Sequence, residues 1–107
     1  MKVAEWVAVG RAADIPPGHA ARVEIDGVPV AIFNCNGDFY VLDDTCSHQE
    51  ASLSEGDLDL DRCVIECPLH GGQFDLTTGK GLGAPITCDI ETFPTRVVGD
   101  EVQVMLA

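Results

Sequence analysis

The sequence predicts an all-β domain in which short antiparallel strands form a sandwich or a barrel. Three observations support this prediction. Several short segments alternate apolar and polar side chains, turn signals such as Asn36-Gly37 separate them, and no stretch carries a helical period. The length of 107 residues fits one domain, residues 1–107.

Four strands are predicted before Cys46, each bounded by turn residues. They span residues 5–9, 21–26, 28–33 and 39–42. The second of them alternates apolar and charged side chains most clearly, as a strand with one buried face does. Asp26-Gly27 and Asn36-Gly37 are hairpin signals, and Pro29 indicates an edge position for the third strand.

The second half of the chain contains shorter predicted strands. The acidic segment 52–61 is interpreted as a spacer between two short motifs, each with one cysteine and one histidine, that are described below. A strand is predicted over 63–66, directly before Cys67, and another over 73–75, shortly after His70. The second motif, from Cys67 to His70, is therefore predicted to lie at a hairpin tip. Residues 81–85 are irregular by composition. The last strands cover 90–98, broken near Pro94, and 101–106.

The composition bounds the possible partners. Eighteen acidic and six basic residues give a net charge of −12, which makes nucleic acid and anionic lipid poor partners. The acidic surface either steers the protein toward basic patches or keeps it in solution, and we weigh the two readings about equally. The position of the acidic residues around the motifs slightly favours steering; they are Asp43, Asp44, Glu50, Glu55, Asp57, Asp59 and Asp61.

No apolar run reaches the length of a membrane span, and residues 1–6 lack the features of a signal peptide, so a cytoplasmic protein is predicted. Five cysteines are an odd number, which argues against a disulfide framework. Cys35, Cys63 and Cys88 are therefore expected to act as small buried hydrophobic residues, although the sequence does not define their role.

Two short motifs each combine one cysteine with one histidine. They read Cys46-Ser47-His48 and Cys67-Pro68-Leu69-His70, with eighteen residues between them. Thiolate and imidazole ligands imply a metal site. A structural zinc site normally pairs Cys with Cys and His with His, whereas the mixed pairs suit a two-iron two-sulfide cluster with two thiolates on one iron and two imidazoles on the other. Zinc or a chance pattern remains an alternative.

At these residues the chain resembles a known family. The two motifs, the second continuing as Gly71-Gly72-Gln73-Phe74-Asp75, resemble the Rieske signature. Thr78-Gly79-Lys80-Gly81, Ala84-Pro85 and the segment 89–94 are similar to the small soluble Rieske ferredoxins of bacterial aromatic-ring dioxygenase systems. The resemblance is strongest from Tyr40 to Pro94.

This resemblance implies a Rieske fold, with a cluster-binding subdomain at about residues 44–83 inserted into a base formed by residues 1–43 and 84–107. It also implies one Rieske-type 2Fe-2S cluster per chain, held by Cys46, His48, Cys67 and His70. The segment 81–85 would cover the cluster as a third loop. Both ligand imidazoles would face solvent at the tip.

Departures from the high-potential Rieske proteins indicate a low reduction potential. Ala51 and Leu69 stand where those proteins have a disulfide, and Gly72 and Phe74 stand where they have hydroxyl donors to sulfur. Because such donors stabilise the reduced cluster, their loss predicts a potential of about −150 mV. The potential should fall at alkaline pH, because oxidised iron lowers the pKa of the ligand imidazoles.

The resemblance implies a one-electron carrier and not an enzyme. It would accept electrons from a flavin-containing ferredoxin reductase and pass them to the terminal oxygenase of an aromatic-ring dioxygenase system, as a monomer. The alternatives are a fixed Rieske-like small subunit of a larger reductase, such as nitrite reductase, and a zinc-stabilised binding module. The sequence names neither the aromatic substrate nor the type of reductase.

Overall fold

The structure is a computed structural model that describes residues 5–25, 27–44, 52–67, 72–82 and 89–106. The described residues form ten strands and two short 3-10 turns, at Ala12–Asp14 and Leu53–Glu55. The strands are β1 (Glu5–Arg11), β2 (Ala20–Ile25), β3 (Val28–Cys35), β4 (Asp38–Asp43), β5 (Asp57–Asp59), β6 (Val64–Glu66), β7 (Gln73–Asp75), β8 (Thr92–Phe93), β9 (Thr95–Val98) and β10 (Glu101–Leu106). The predicted all-β class is confirmed.

The strands form three antiparallel sheets, with the orders β1-β10-β9, β2-β3-β4-β8 and β5-β6-β7. Local turn chemistry sets much of the pairing. Asn36 and Gly37 have φ values of 57° and 96°, and Cys35 pairs with Asp38 across them. Two central residues with positive φ match the twist of flanking strands, which confirms the predicted hairpin.

The sheet of β2, β3, β4 and β8 lies in the middle and is buried on both faces. Alternate residues of β3 point in opposite directions, as in any strand. Ala31, Phe33 and Cys35 pack toward the sheet of β5, β6 and β7, whereas Val30 and Ile32 pack toward Val102 and Val104 of β10. This double burial explains why six consecutive residues of β3, from 30 to 35, are buried.

Two expectations about the strands were wrong. Pro29 does not mark an edge strand, because β3 lies between β2 and β4. It is the second residue of β3, near the end of the pairing, where a missing N–H interrupts little of the ladder, and its carbonyl accepts from Asp44 N at 3.0 Å. The acidic segment 52–61 is more than a spacer, since it contains β5, which pairs with β6.

The described residues include no helix with the length and apolar character that a membrane crossing requires.

Candidate metal centre

The hairpin of β6 and β7 positions the second motif. Glu66 pairs with Gln73, and the N–H of Cys67, directly after β6, donates to the carbonyl of Gly72 at 2.6 Å. Cys67 and Gly72 therefore continue the pairing of a hairpin whose strands lie on either side of the second motif, as predicted. Cys67 is 2 % exposed, at the edge of the core between the middle sheet and β5-β6-β7. His70 lies outside the described residues.

The first motif falls between two described residues, Asp44 and Leu53, that are hydrogen-bonded to each other. β4 ends at Asp43, and the carbonyl of the next residue, Asp44, accepts from Leu53 N at 2.7 Å. Cys46 and His48 fall between these ends, outside the described residues. The loop thus starts and finishes at one point on the edge of the middle sheet.

All three candidate loops leave from the same end of the β5-β6-β7 sheet. The first loop returns through β5, whose first residue, Asp57, pairs with Glu66 next to Cys67. The third predicted loop, with residues 83–88 outside the described part, begins at Leu82, whose N–H donates to the carbonyl of Gln73 at 2.9 Å. Residues distant in sequence therefore converge beside Cys67.

Close backbone packing holds the first and second loops together. A Cβ at Gly56 would overlap the backbone carbonyl of Glu66, and the N–H of Gly56 donates to Leu53 O at 2.9 Å. Only glycine allows this approach without a shift of backbone. The end of the first loop is thereby fixed against the strand that carries Cys67.

An ion pair with a buried carboxylate anchors the residue that precedes the first motif. The carboxylate of Asp44 has 2 % of its side chain exposed and accepts from Arg22 Nε at 3.0 Å through Oδ2. Its Oδ1 accepts from the N–H of Ser54 at 2.8 Å. Arg22 lies on β2, so this carboxylate ties the middle sheet to the residues that follow the first loop.

The acidic residues near the motifs do not all face solvent. Asp44 was expected among the steering charges, but it is buried and neutralised by Arg22, so it cannot contribute to a steering surface. Glu55 and Asp57 are exposed beside the tip. Asp61 is exposed too, but it lies in the turn at the other end of β5, where Asp59 pairs with Val64.

The turn that follows β7 contains a perturbed carboxylate. A hydrogen bond from the Thr77 hydroxyl, at 2.6 Å, together with backbone N–H groups of Thr77 and Thr78, holds the pKa of Asp75 below its usual value. Partial desolvation opposes this effect. The same carboxylate accepts from Thr77 N at 2.8 Å, so it closes the turn before Gly79.

The expectation for two of the remaining cysteines was wrong. Cys35 and Cys63 form a disulfide, with their Cα atoms 5.9 Å apart and a separation of 28 positions in sequence. The odd number of cysteines and the apolar strand context both favoured unpaired thiols, and neither signal reports which strand ends meet in space. Cys88 lies outside the described residues.

The residues present suit a two-iron two-sulfide cluster. Cys67 is buried beside the end of the β6–β7 hairpin, and its thiol is a ligand type that iron in such clusters takes. Cys46, His48 and His70, the other predicted ligands, lie outside the described residues. Within the described part of the chain, no group of three or more His, Cys, Asp or Glu side chains could hold a metal ion.

Comparisons with known proteins agree with this arrangement. Residues 5–94 match the Rieske [2Fe-2S] domain. The chain is 46 % identical over 90 residues to the 3-phenylpropionate/cinnamic acid dioxygenase ferredoxin subunit of Escherichia coli strain K12, covering 84 % of this chain and 83 % of that protein.

Two solved structures resemble the fold closely. One is a chain of a complex of reduced oxygenase and oxidized ferredoxin in carbazole 1,9a-dioxygenase, with a TM-score of 0.85, 44 % identity, and coverage of 92 % of this chain and 91 % of that chain. The other is the ferredoxin of carbazole 1,9a-dioxygenase from Nocardioides aromaticivorans IC177, with a TM-score of 0.88, 31 % identity, and coverage of 92 % and 95 %. The chain therefore belongs to the Rieske [2Fe-2S] domain family.

Proposed function

We propose that this protein is a one-electron carrier that takes electrons from a flavin-dependent reductase and delivers them to the terminal oxygenase of an aromatic-ring dioxygenase system. The observation that carries the proposal is the convergence of three loops beside Cys67 at one end of the β5-β6-β7 sheet. It is supported by the relatives, which are named as ferredoxin components of dioxygenase systems.

Cys46, His48, Cys67 and His70 are the proposed ligands of one cluster per chain. Two thiolates and two imidazoles on separate irons allow the bound group to accept and return a single electron. The proposed cluster-binding subdomain spans about residues 44–83, and the base spans 1–43 and 84–107.

The residues around Cys67 give the proposed site an apolar inner side and hold its backbone in place. Phe74 and Leu53 are fully buried in the same core cluster as Cys67. The Asp44 carboxylate and Gly56 fix the two ends of the first loop. A rigid site changes little between its oxidised and reduced states, and a small structural change favours rapid electron transfer.

The outer side of the site carries negative charge. Glu55 and Asp57 flank the tip, and the whole chain has a charge of −12. Complementary charge accelerates encounter with a partner and makes the rate sensitive to salt. We infer that the protein is a cytoplasmic monomer that docks with basic surfaces on the reductase and the oxygenase in turn.

A fixed small subunit of a larger reductase, such as nitrite reductase, is the second candidate. It is the weaker one, because the relatives described above are ferredoxin components of dioxygenase systems. A zinc-stabilised module would give a colourless protein with no reducible chromophore. The family match over residues 5–94 favours the iron-sulfur cluster instead.

The experiment is a stopped-flow measurement of electron transfer from the reduced protein to a terminal oxygenase at several salt concentrations. Steering typically changes association rates by ~10- to 1000-fold, so the double substitution Glu55→Gln with Asp57→Asn should slow association by about threefold and flatten its salt dependence. A charge-matched control, Asp38→Asn with Asp61→Asn, removes two exposed charges away from the tip.

The control should leave the rate almost unchanged. Equal slowing by both pairs would show that only the overall charge matters. Failure of the reduced protein to transfer electrons to any such oxygenase, together with stable co-purification in a larger reductase, would overturn the carrier role.

A further inference from the structure

A disulfide bond connects the middle sheet to the β6–β7 hairpin, at the end of β6 that is away from Cys67. Cys35 is the last residue of β3, and Cys63 directly precedes β6. β6 has only three residues, so the disulfide lies at one end of this strand and Cys67 at the other. The bond therefore fixes the strand from the side opposite to the proposed cluster.

We propose that the Cys35–Cys63 bond is a second redox-active group of this protein, a thiol–disulfide exchange site whose state determines how firmly β6 is held. The inference rests on the position of the bond and its surroundings, and not on the electron-carrier role. Exposed disulfides are generally the reducible ones, whereas fully buried disulfides resist exchange.

The two cysteines differ in exposure, which gives the exchange a direction. Cys35 is fully buried, whereas Cys63 is partly exposed. The proposed attack of an incoming thiolate is therefore on Cys63 Sγ, with Cys35 as the leaving group. Asn36 Nδ2 lies 3.7 Å from Cys35 Sγ and can donate to the departing thiolate.

The same surroundings accommodate the reduced state. Cys35 Sγ lies 3.6 Å from the carbonyl oxygen of Leu60, within reach of a thiol S–H donor. Asn36 Nδ2 also donates to this carbonyl at 2.8 Å, so Leu60 stays attached to the β3–β4 turn when the disulfide is open. The reduced Cys35 would therefore have a donor and an acceptor in place.

The reductant is a protein or small molecule with two thiols. Its first thiolate attacks Cys63 Sγ, the Cys35–Cys63 bond breaks, and Cys35 leaves as a thiolate that takes up one proton. The second thiol of the reductant then attacks the mixed disulfide and releases Cys63 as a thiol. Two electrons and two protons pass to the protein, and the reductant becomes a disulfide.

Opening the bond should loosen the start of β6. Cys63 has a φ of 50°, in the left-handed region that non-glycine residues rarely adopt. With the disulfide open, this conformation loses a constraint, and the hydrogen bond from Leu76 N to Cys63 O, at 3.0 Å, remains to hold it. Return of Cys63 to an ordinary φ would rotate the first residue of β6 and disturb the hairpin.

The first test counts thiols in the intact, cluster-loaded protein. Samples equilibrated with reduced or oxidised thioredoxin are quenched in acid, which releases the iron, and are then alkylated in denaturant. Mass spectrometry should show three modified cysteines with the bond closed and all five with it open. Five modified cysteines in the oxidised sample would overturn the proposal.

The second test measures iron release to a ferrous chelator in mild urea, a readout that does not depend on partner proteins. Thioredoxin treatment should accelerate iron release about tenfold, equivalent to ~1.4 kcal/mol in barrier height. The Cys35→Ala/Cys63→Ala variant should release iron at the fast rate with or without thioredoxin. Cys88→Ser is the control and should keep the response.

Iron release that is unchanged by opening the bond would overturn the proposed control of β6. Should the double variant fail to fold, the thioredoxin-dependent change in the unmodified protein decides the matter alone. A thioredoxin variant that lacks its second cysteine traps the mixed disulfide. The trapped adduct should be on Cys63, and an adduct on Cys35 would refute the proposed direction of attack.

Discussion

The ion pair of the buried Asp44 carboxylate with Arg22 gives the sharpest prediction about the site. Among the described residues, the Asp44 carboxylate accepts hydrogen bonds from Arg22 Nε at 3.0 Å and from Ser54 N at 2.8 Å. Hydrogen bonds to charged groups contribute about 1.5–3 kcal/mol each. Because the Arg22 side chain is 46 % exposed, we take the lower end of this range. Asp44→Ala should therefore lower the free energy of unfolding by about 3 kcal/mol.

That loss can be measured as a change in melting temperature and in cluster content. For a domain of this size, 1 kcal/mol corresponds to about 4 °C, so Asp44→Ala should melt ~12 °C lower by circular dichroism at a fixed scan rate. Asp44 precedes the segment that contains Cys46 and is hydrogen-bonded to Leu53 and Ser54, which follow it. The iron and sulfide content per chain should therefore fall as well. Asp38→Ala, at the exposed first residue of β4, the strand that ends one residue before Asp44, is the control.

A double-mutant cycle separates the ion pair from the rest. Arg22→Ala should lower the free energy of unfolding by about 2 kcal/mol. This loss is smaller than that of Asp44→Ala, because water reaches the Asp44 carboxylate once the guanidinium is gone. The double variant should be little worse than Asp44→Ala, with a coupling energy of about 1–2 kcal/mol. A loss below about 1 kcal/mol for Asp44→Ala, or additive effects of the two substitutions, would refute the reasoning.

Three further predictions concern the turn after β7 and the proposed cluster. Gly79 has a φ of 75°, and a Cβ there would overlap the carbonyl of Ile90, so Gly79→Ala should cost about 3 kcal/mol in chemical unfolding. Gly37→Ala is the control, because Gly37 has a φ of 96° but open space around it, so this variant should lose only the stability that the strained backbone conformation costs. Equal losses of unfolding free energy in the two variants would contradict the overlap at Gly79. Thr77→Val should raise the pKa of Asp75 toward 3.8, measured by NMR titration of its carboxyl carbon. Because the pKa of Asp75 is lower in the folded state, the stability that the Thr77 hydrogen bond adds should be complete above pH 3.8. It should disappear as the pH falls through the pKa of Asp75 in the folded protein. An unchanged pKa of Asp75 in the variant would contradict this. The reduction potential should be about −150 mV near neutral pH and fall at alkaline pH, and a redox titration that gave a flat profile or a value above roughly +100 mV would exclude the proposed site.

Much of the fold was predictable because its signals are local. Asn36-Gly37 requires only a two-residue turn with positive φ, and the structure has that turn. The hairpin around the second motif was predicted from two short strand-like segments on either side of it, and the pairing of Glu66 with Gln73 confirms this hairpin. In each case the residues that form the element are neighbours in sequence.

Other features could not be predicted from local patterns. β5 has only three residues with an acidic composition, and it is a strand because it lies beside β6. In the sequence Asp44 is one of several acidic residues. In the structure it is buried, and its carboxylate accepts hydrogen bonds from Arg22 and Ser54. The position of Pro29 near a strand end likewise depended on where β2 and β4 lie.

The sequence by itself determined the all-β class, the strand–turn alternation and the two Cys-His motifs, because side-chain period, turn chemistry and ligand type belong to short segments. Only the tertiary structure decided that the candidate loops converge at one end, that Asp44 is an internal anchor and that Cys35 bonds to Cys63. These features depend on contacts between residues far apart in the chain, 28 positions apart in the case of the disulfide. Such contacts form only when the sheets pack on one another.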